Sequence, residues 1–343
     1  MADIGSKNIG HISYQMEHTE EMLHFYRDIL GMREQFTLYF RDLLPAGVNS
    51  EDSLPGDADE GRRAFVRGIL EKKDQKWMTY LKLADRQFIE FFYPVSGVNR
   101  RIRDRWAGYG YTKMNFETAS IEAIREILTA NGVPLAEDIH GTVDGAREIK
   151  VFDPDGNEVQ FTEYPAEGAR IPMPEEKERR VFANVSYITQ AAYQVKDAAG
   201  MLDFYTKGLG LALADRLTCA DLAAAMEGSG APEAVLQGLK AMGDSSWIDY
   251  IEVAPHQYIE LFHVLGPEEK KTDRDLKDAF GYQHICIEVE DIHRAWDAVL
   301  ANGLTPDTQI RLGAAGAWQF WLVDPDGNRL ELMQYGEGAL QLR

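Results

Sequence analysis

A divalent metal ion is held well by imidazole nitrogens and carboxylate oxygens that project from rigid backbone onto one shared face. Two stretches of this chain are patterned in that way. Gly281-Tyr282-Gln283-His284-Ile285-Cys286-Ile287-Glu288-Val289 alternates, so as a strand it sets His284, Cys286 and Glu288 on one face. Ile285, Ile287 and Val289 then fall on the other. Asp324-Pro325-Asp326-Gly327-Asn328 reads as a tight turn, with proline preset for the second position and glycine free to take positive φ. The strand that follows points Leu330 and Leu332 at a core and Glu331 away from it. A histidine on one strand and a glutamate on another, each backed by an apolar face, suit an oxygen/nitrogen metal site in a curved sheet.

The elements that must position these residues recur along the chain. His11 to Met16 is followed by Met22, Leu23, Phe25-Tyr26 and Leu30-Gly31, and Gln190 to Val195 by Met201, Leu202, Phe204-Tyr205 and Leu209-Gly210, always 179 positions apart. Glu90 in Phe88-Ile89-Glu90-Phe91-Phe92 recurs as Glu260 in Tyr258-Ile259-Glu260-Leu261-Phe262, 170 positions on. Asn131-Gly132 and Asp153-Pro154-Asp155-Gly156-Asn157 recur 171 positions on, at Asn302 and Asp324. An offset that drops once marks a duplication with one loop of different length. That length change falls in the loops 32–76 and 211–246. Each half divides again into a strand, an amphipathic helix closed by glycine, and further strands, with helices expected near 20–33, 119–131, 198–209 and 291–302. A further helix is expected near 59–72, in a loop whose Arg41, Arg62, Arg63 and Arg67 suggest a lid. Segments 94–110, 165–183 and 265–281 are rich in Pro, Gly and charge and read as linkers. The middle one divides the halves 1–165 and 184–343 at a linker over 166–183. The first holds Arg100, Arg101, Arg103 and Arg105, read as a solvated linker helix.

Composition narrows the classes of function. The chain has 343 residues, 45% hydrophobic and 27% charged, as a globular protein of two ordinary domains or one large one would. A formal charge of −20 argues against a nucleic-acid or anionic-membrane surface, both of which need a positive face. Cys219 and Cys286 share no paired spacing, so neither a disulfide framework nor a thiolate metal site is expected. Met1 to Gly10 lacks the apolar run of a signal peptide and no window approaches a membrane span, so a cytoplasmic protein is expected.

Strand, helix and three strands, with Phe-Tyr in the helix, Leu-Gly after it, Ile-Glu-Leu-Phe in a late strand and Asp-Pro-Asp-Gly-Asn before the last, resembles the vicinal oxygen chelate superfamily. That superfamily includes glyoxalase I, methylmalonyl-CoA epimerase, extradiol dioxygenases and the bleomycin and fosfomycin resistance proteins. The resemblance implies an α+β fold of four βαβββ modules, at about 8–94, 109–165, 184–264 and 281–335, forming two curved mixed-sheet cups. Family members bind one divalent metal in a cup made by two modules, with ligands from the first and a late strand of each. Carried over, module one offers His11 and Glu90, module two Lys113 and Gln160, module three Gln190 and Glu260, and module four His284 and Glu331. A protonated lysine is no ligand, which makes modules one and two a poor pair. Two sets remain: His11, Glu90, His284 and Glu331, or Gln190, Glu260, His284 and Glu331. The first is preferred because imidazole is the better ligand and His11 otherwise has no role. His18, His24, His140, His256, His263 and His293 are read as surface or packing residues.

Two imidazoles and two carboxylates suit one divalent ion, Zn, Ni, Mn, Co or Fe, without choosing among them. The resemblance then implies a glyoxalase-like isomerase, epimerase or lyase acting on a small carbonyl compound through a metal-stabilised enediolate or enolate. Glu90 and Glu331 would be its catalytic proton carriers, and no organic cofactor is needed. An Fe(II) extradiol dioxygenase on His11, His284 and Glu331 is the rival, weakened by the fourth donor Glu90. A protein that sequesters a small molecule is the third reading. Partners are then a small-molecule substrate, no nucleic acid and no membrane, in a monomer or homodimer. Ser13, Gln15, Phe88, Phe92, Cys286, Glu288 and Met333 share the face of the proposed ligands by alternation.

Overall fold

The structure is a computed structural model that describes residues 2–45, 47–56, 58–94, 100–101, 108–165, 170, 183–265 and 279–343. Most of the three expected linkers, with Arg103 and Arg105, lies outside the described residues. Module one comprises β1 (Ser6–Gln15), α1 (Thr19–Leu23), β2 (Arg33–Tyr39), α2 (Glu60–Glu71), β3 (Lys76–Ala84) and β4 (Gln87–Phe92), followed by the short β5 (Arg100–Arg101). Module two comprises β6 (Gly110–Glu117), α3 (Ile121–Ala130), β7 (Leu135–Gly141), β8 (Arg147–Phe152) and β9 (Glu158–Glu163). Module three comprises β10 (Ile188–Val195), α4 (Ala198–Asp203), β11 (Ala212–Thr218), α5 (Cys219–Met226), α6 (Glu233–Met242), β12 (Ser246–Ala254) and β13 (Gln257–His263). Module four comprises β14 (Ala279–Val289), α7 (Ile292–Ala301), β15 (Arg311–Leu312), β16 (Ala317–Val323) and β17 (Arg329–Tyr335).

The strands form two curled mixed sheets. One runs β15-β16-β17-β14-β1-β4-β3-β2, with β5 beside the start of β14, and the other β11-β12-β13-β10-β6-β9-β8-β7. Module one therefore shares a sheet with module four, and module two with module three. We call these cup one and cup two. The join in each is antiparallel, β1 against β14 and β10 against β6, while first and last strands within a module run parallel.

The helices follow the apolar spacing. Ile121, Ile124 and Leu128 of α3 and Ile292, Ala295 and Val299 of α7 are buried, and Ser120 and Asp291 cap these helices through their side chains. The first and third modules depart from the expected single long helix. After α1 and α4 the backbone widens into π-helical turns at His24–Ile29 and Phe204–Gly208, in which the amides of Leu30 and Leu209 reach the carbonyls of Phe25 and Phe204. The wider turn buries both members of each Phe-Tyr pair, which adjacent α-helical positions would splay apart. Gly210, at φ +74°, ends the second of these turns, and a Cβ there would lie 2.6 Å from the Ala2 carbonyl oxygen.

The faces of the two sheets turned away from the cups meet in one core. Tyr14, Tyr111, Tyr193 and Tyr282, one from each first strand, sit fully buried within it. Tyr111 and Tyr282 stack at 4.0 Å, and their hydroxyls pair with those of Tyr14 and Tyr193. The two Asp-Pro-Asp-Gly-Asn turns also cross between sheets. Asp155 accepts the amides of Glu17 and His18 at 2.7 and 2.9 Å, and Asp326 those of Lys196 and Asp197 at 2.6 and 3.1 Å. Each turn thus caps the helix start of the module it faces. In the loop 32–76 the described arginines meet local groups: Arg41 pairs with Asp74, Arg67 with Glu60, and Arg63 donates to the Ala58 carbonyl. Among the described residues no helix is long and apolar enough to cross a membrane.

Asp326→Ala should lower unfolding stability in urea by about 1–2 kcal/mol, the cost of a lost helix-start acceptor. On the rim of cup two, His140 on β7 faces Glu148 at 3.3 Å and Glu137 at 3.4 Å, and the hydrogen bond with Glu148 raises its pKa to about 9 against the pull of burial. A folded-state pKa raised from 6.5 gives stability that is fully present below pH 6.5 and lost as pH rises through 9. His140→Gln should flatten that fall, read as urea midpoints across the same pH window.

Candidate metal centre

The four central strands of cup one, in the order β17-β14-β1-β4, each contribute one donor: Glu331, His284, His11 and Glu90. Strands about 4.8 Å apart would spread four such side chains over roughly 14 Å if the sheet were flat. Curling brings them together. His11 Nε2 lies 3.1 Å from His284 Nε2, 3.2 Å from Glu331 Oε2 and 3.6 Å from Glu90 Oε2. His284 Nε2 lies 3.2 Å from Glu90 Oε2 and 3.6 Å from Glu331 Oε2. The short imidazoles come from the two inner strands and the longer glutamates reach in from the outer two. All four residues are at most 4% exposed.

The separations fit a metal. Donors about 2.1 Å from one ion are about 3.0 Å apart at right angles and about 3.4 Å apart in a tetrahedron. Two neutral imidazole nitrogens that meet at 3.1 Å need a proton or a cation between them. Burial pushes the Glu331 carboxyl up, yet the two imidazoles hold it down to about 2. Glu90 is lowered by the same imidazoles against its burial, and His284 is raised against burial by the two carboxylates.

Other residues expected on this face divide by role. Cys286 lies within donor distance of His11 and Glu331, its thiol pushed well up by burial. Glu288 belongs to the scaffold, since it pairs with Arg86 from the β3–β4 turn. Phe88 and Met333 pack with Tyr80 and Tyr335 in an apolar cluster, and Phe92, packed against the same cluster, lies 6.5 Å from the His284 ring. The Ser13 hydroxyl is buried and has no hydrogen-bond partner among the described residues. Sequence reasoning missed Tyr80 and Trp321. Their rings meet His11 at 5.3 Å and His284 at 4.6 Å, edge to face. Each sits directly across the strand pair from a donor, Tyr80 opposite Glu90 and Trp321 opposite Glu331, a register that no single strand reveals.

The alternative set is not assembled. Gln190 and Glu260 lie in cup two with Lys113 and Gln160, on strands β10, β13, β6 and β9. There Lys113 Nζ donates to Gln160 Oε1 at 2.6 Å and pairs with Glu260 Oε2 at 3.1 Å. Of the remaining histidines, His18, His24 and His263 pair with Asp155, Asp28 and Asp249.

This chain belongs to the Glyoxalase/Bleomycin resistance protein/Dioxygenase superfamily, which matches residues 8–161 and 187–332. Its fold is similar to that of glyoxalase I from Zea mays, at 15% identity and a TM-score of 0.59 over 96% of this chain and 92% of that one. It is equally similar to a provisionally named dioxygenase of Bacillus subtilis subsp. subtilis str. 168, at 15% identity and a TM-score of 0.60 over 97% and 86%. Members of the superfamily are generally enzymes that bind a divalent metal and act on small molecules.

Zinc titration monitored by a competing chelator should show about one tight ion per chain. His11→Ala and His284→Ala should each weaken it by more than about 100-fold, and Gln190→Ala should leave it unchanged. Equal damage from Gln190→Ala would assign the ion elsewhere.

Proposed function

We propose that cup one holds one divalent ion on His11, Glu90, His284 and Glu331 and catalyses an isomerisation, epimerisation or C–X lyase step on a small carbonyl compound. The substrate class is one with an acidic carbon beside the carbonyl. The observation that carries this reading is the convergence of two buried carboxylates and two imidazoles at 3.1–3.6 Å. The ion, when bound, supplies Lewis-acid stabilisation of negative charge that develops on substrate oxygen. The chain supplies the base. Glu90 and Glu331 would border a substrate held at the ion, and either carboxylate could take a proton from one carbon and return it to another. Ser13 Oγ and Trp321 Nε1, both buried without partners among the described residues, offer hydrogen bonds to a polar substrate. Tyr80, Phe92 and Trp321 wall the donors and keep water away from a carbanion-like intermediate.

The dioxygenase reading has less support. A diphenol and dioxygen together need three positions on the metal, and a fourth protein donor leaves fewer. Protein loaded with Fe, Mn, Zn, Ni or Co should be assayed anaerobically against panels of 2-oxo compounds and diphenols. Deuterium entering from solvent without oxygen uptake is the expected result; turnover that requires Fe(II) and consumes oxygen would overturn it. Glu90→Gln and Glu331→Gln keep an oxygen donor while removing the base. In the one that carries the proton, kcat should fall by about 10²–10⁴ with bound metal retained.

A further inference from the structure

Cup two lines a half-open cavity of about 310 Å³ beside the residues that replace the four donors. That is the lower end of the volumes in which proteins hold small molecules, roughly 300–1,000 Å³, and it suits a single ring. We propose that this cavity is a second, metal-independent ligand site for a small neutral hydroxylated aromatic compound, a phenol in its simplest form.

The floor sets the polar requirement. Lys113 and Glu260 are 7% and 2% exposed, and a buried ion pair is tolerated only when the remaining donors and acceptors on both partners are satisfied. Lys113 gives one N–H to Gln160 Oε1 and holds Glu260 Oε2 at 3.1 Å, which leaves the third N–H of the ammonium and a lone pair of that oxygen open. A hydroxyl that accepts from the Lys113 ammonium and donates to the Glu260 carboxylate completes both. Gln190, at the position of His11, is held by Asn115 at 2.6 Å and by the Tyr164 hydroxyl at 2.9 Å, so it competes for neither.

The walls set the rest. Tyr164, Trp247, Tyr250 and Phe262 line the cavity, and aromatic rings pack on such walls edge-to-face or offset. Its charges balance: Asp144, Glu148 and Glu260 stand against Lys113, Lys150 and the protonated His140. In a chain of net charge −20 that local balance favours neither an anion nor a cation. Saturated alcohols of the same size satisfy the floor and not the walls; benzoate satisfies the walls and puts a full charge beside Glu260.

The test is calorimetric titration of phenol, benzoate and cyclohexanol into the full chain, with and without EDTA. Three variants are compared with it: Val143→Trp, which fills the cavity from its rim; Lys113→Met/Glu260→Gln, which removes both buried charges together; and His284→Ala in cup one. We expect one phenol per chain, binding at least about tenfold tighter than benzoate or cyclohexanol, and unaffected by EDTA or His284→Ala. Val143→Trp should abolish binding, and the double variant should weaken it by about tenfold. If the double variant fails to fold, the decision rests with Val143→Trp, at a half-buried rim position. Absence of saturable phenol binding, binding that survives Val143→Trp, or binding lost with His284→Ala or EDTA overturns the proposal.

Discussion

A buried carboxylate must either be matched by positive charge or take up a proton. Both cups obey that constraint, and the rest of each site follows from how it is met. Cup one buries Glu90 and Glu331 around two imidazoles, a set of formal charge −2 that a divalent cation would neutralise. In cup two Gln160 stands where Glu331 would be, which leaves Glu260 as the single carboxylate of the set. A monocation is enough there, and the chain carries its own in Lys113, at the position of His284. Three of the four positions differ: in cup two an amide, Gln160, stands for one carboxylate, an ammonium, Lys113, for one imidazole, and a second amide, Gln190, for the other. The lysine that disqualifies cup two as a metal site is therefore the same charge requirement met by covalent means.

Meeting the constraint needs the curl, and the curl is held from behind. The four tyrosines and the apolar strand faces pack sheet against sheet, so neither cup can flatten without opening the shared core. Asp155 and Asp326 fix the helix starts of modules one and three from across the interface. The π-helical turns bury Phe25, Tyr26, Phe204 and Tyr205, and the Tyr26 hydroxyl donates to Asp153 of the opposing turn at 2.9 Å. The repeated motifs are thus mostly scaffold, and chemistry occupies only the alternate residues of four strands per cup.

Much of this was legible along the chain, because duplication writes the same pattern twice. Alternation around His284 and Glu331 placed each on the polar face of its strand, and the constant offsets named the equivalent positions in the other modules. The partnership of modules was harder to read. Nothing in the spacing of β14 says whether its free edge meets β1 or β10, since both carry the same apolar alternation. The choice between His11 and Gln190 could be argued only from ligand chemistry. Contacts between distant strands were invisible altogether: Glu288 looked like a cup residue, but Arg86, 202 positions away, claims it. The Phe-Tyr pairs were visible as a motif, but the π-helical turns that carry them leave no mark in the apolar spacing.

The nesting of modules one and four around two and three has a consequence for synthesis. The strands of cup two are contiguous in sequence, and across its join the Asn115 amide donates to Gln190 over 75 positions. Cup one closes across 273, between His11 and His284. On the ribosome, cup two can fold while β1 still presents an unpaired edge, and that edge waits for the last module. At about 5–20 residues per second the wait from β4 to β14 is roughly 10–40 s. For that interval the nascent chain carries an open strand flanked by apolar residues, the kind of surface that recruits chaperones or neighbouring chains.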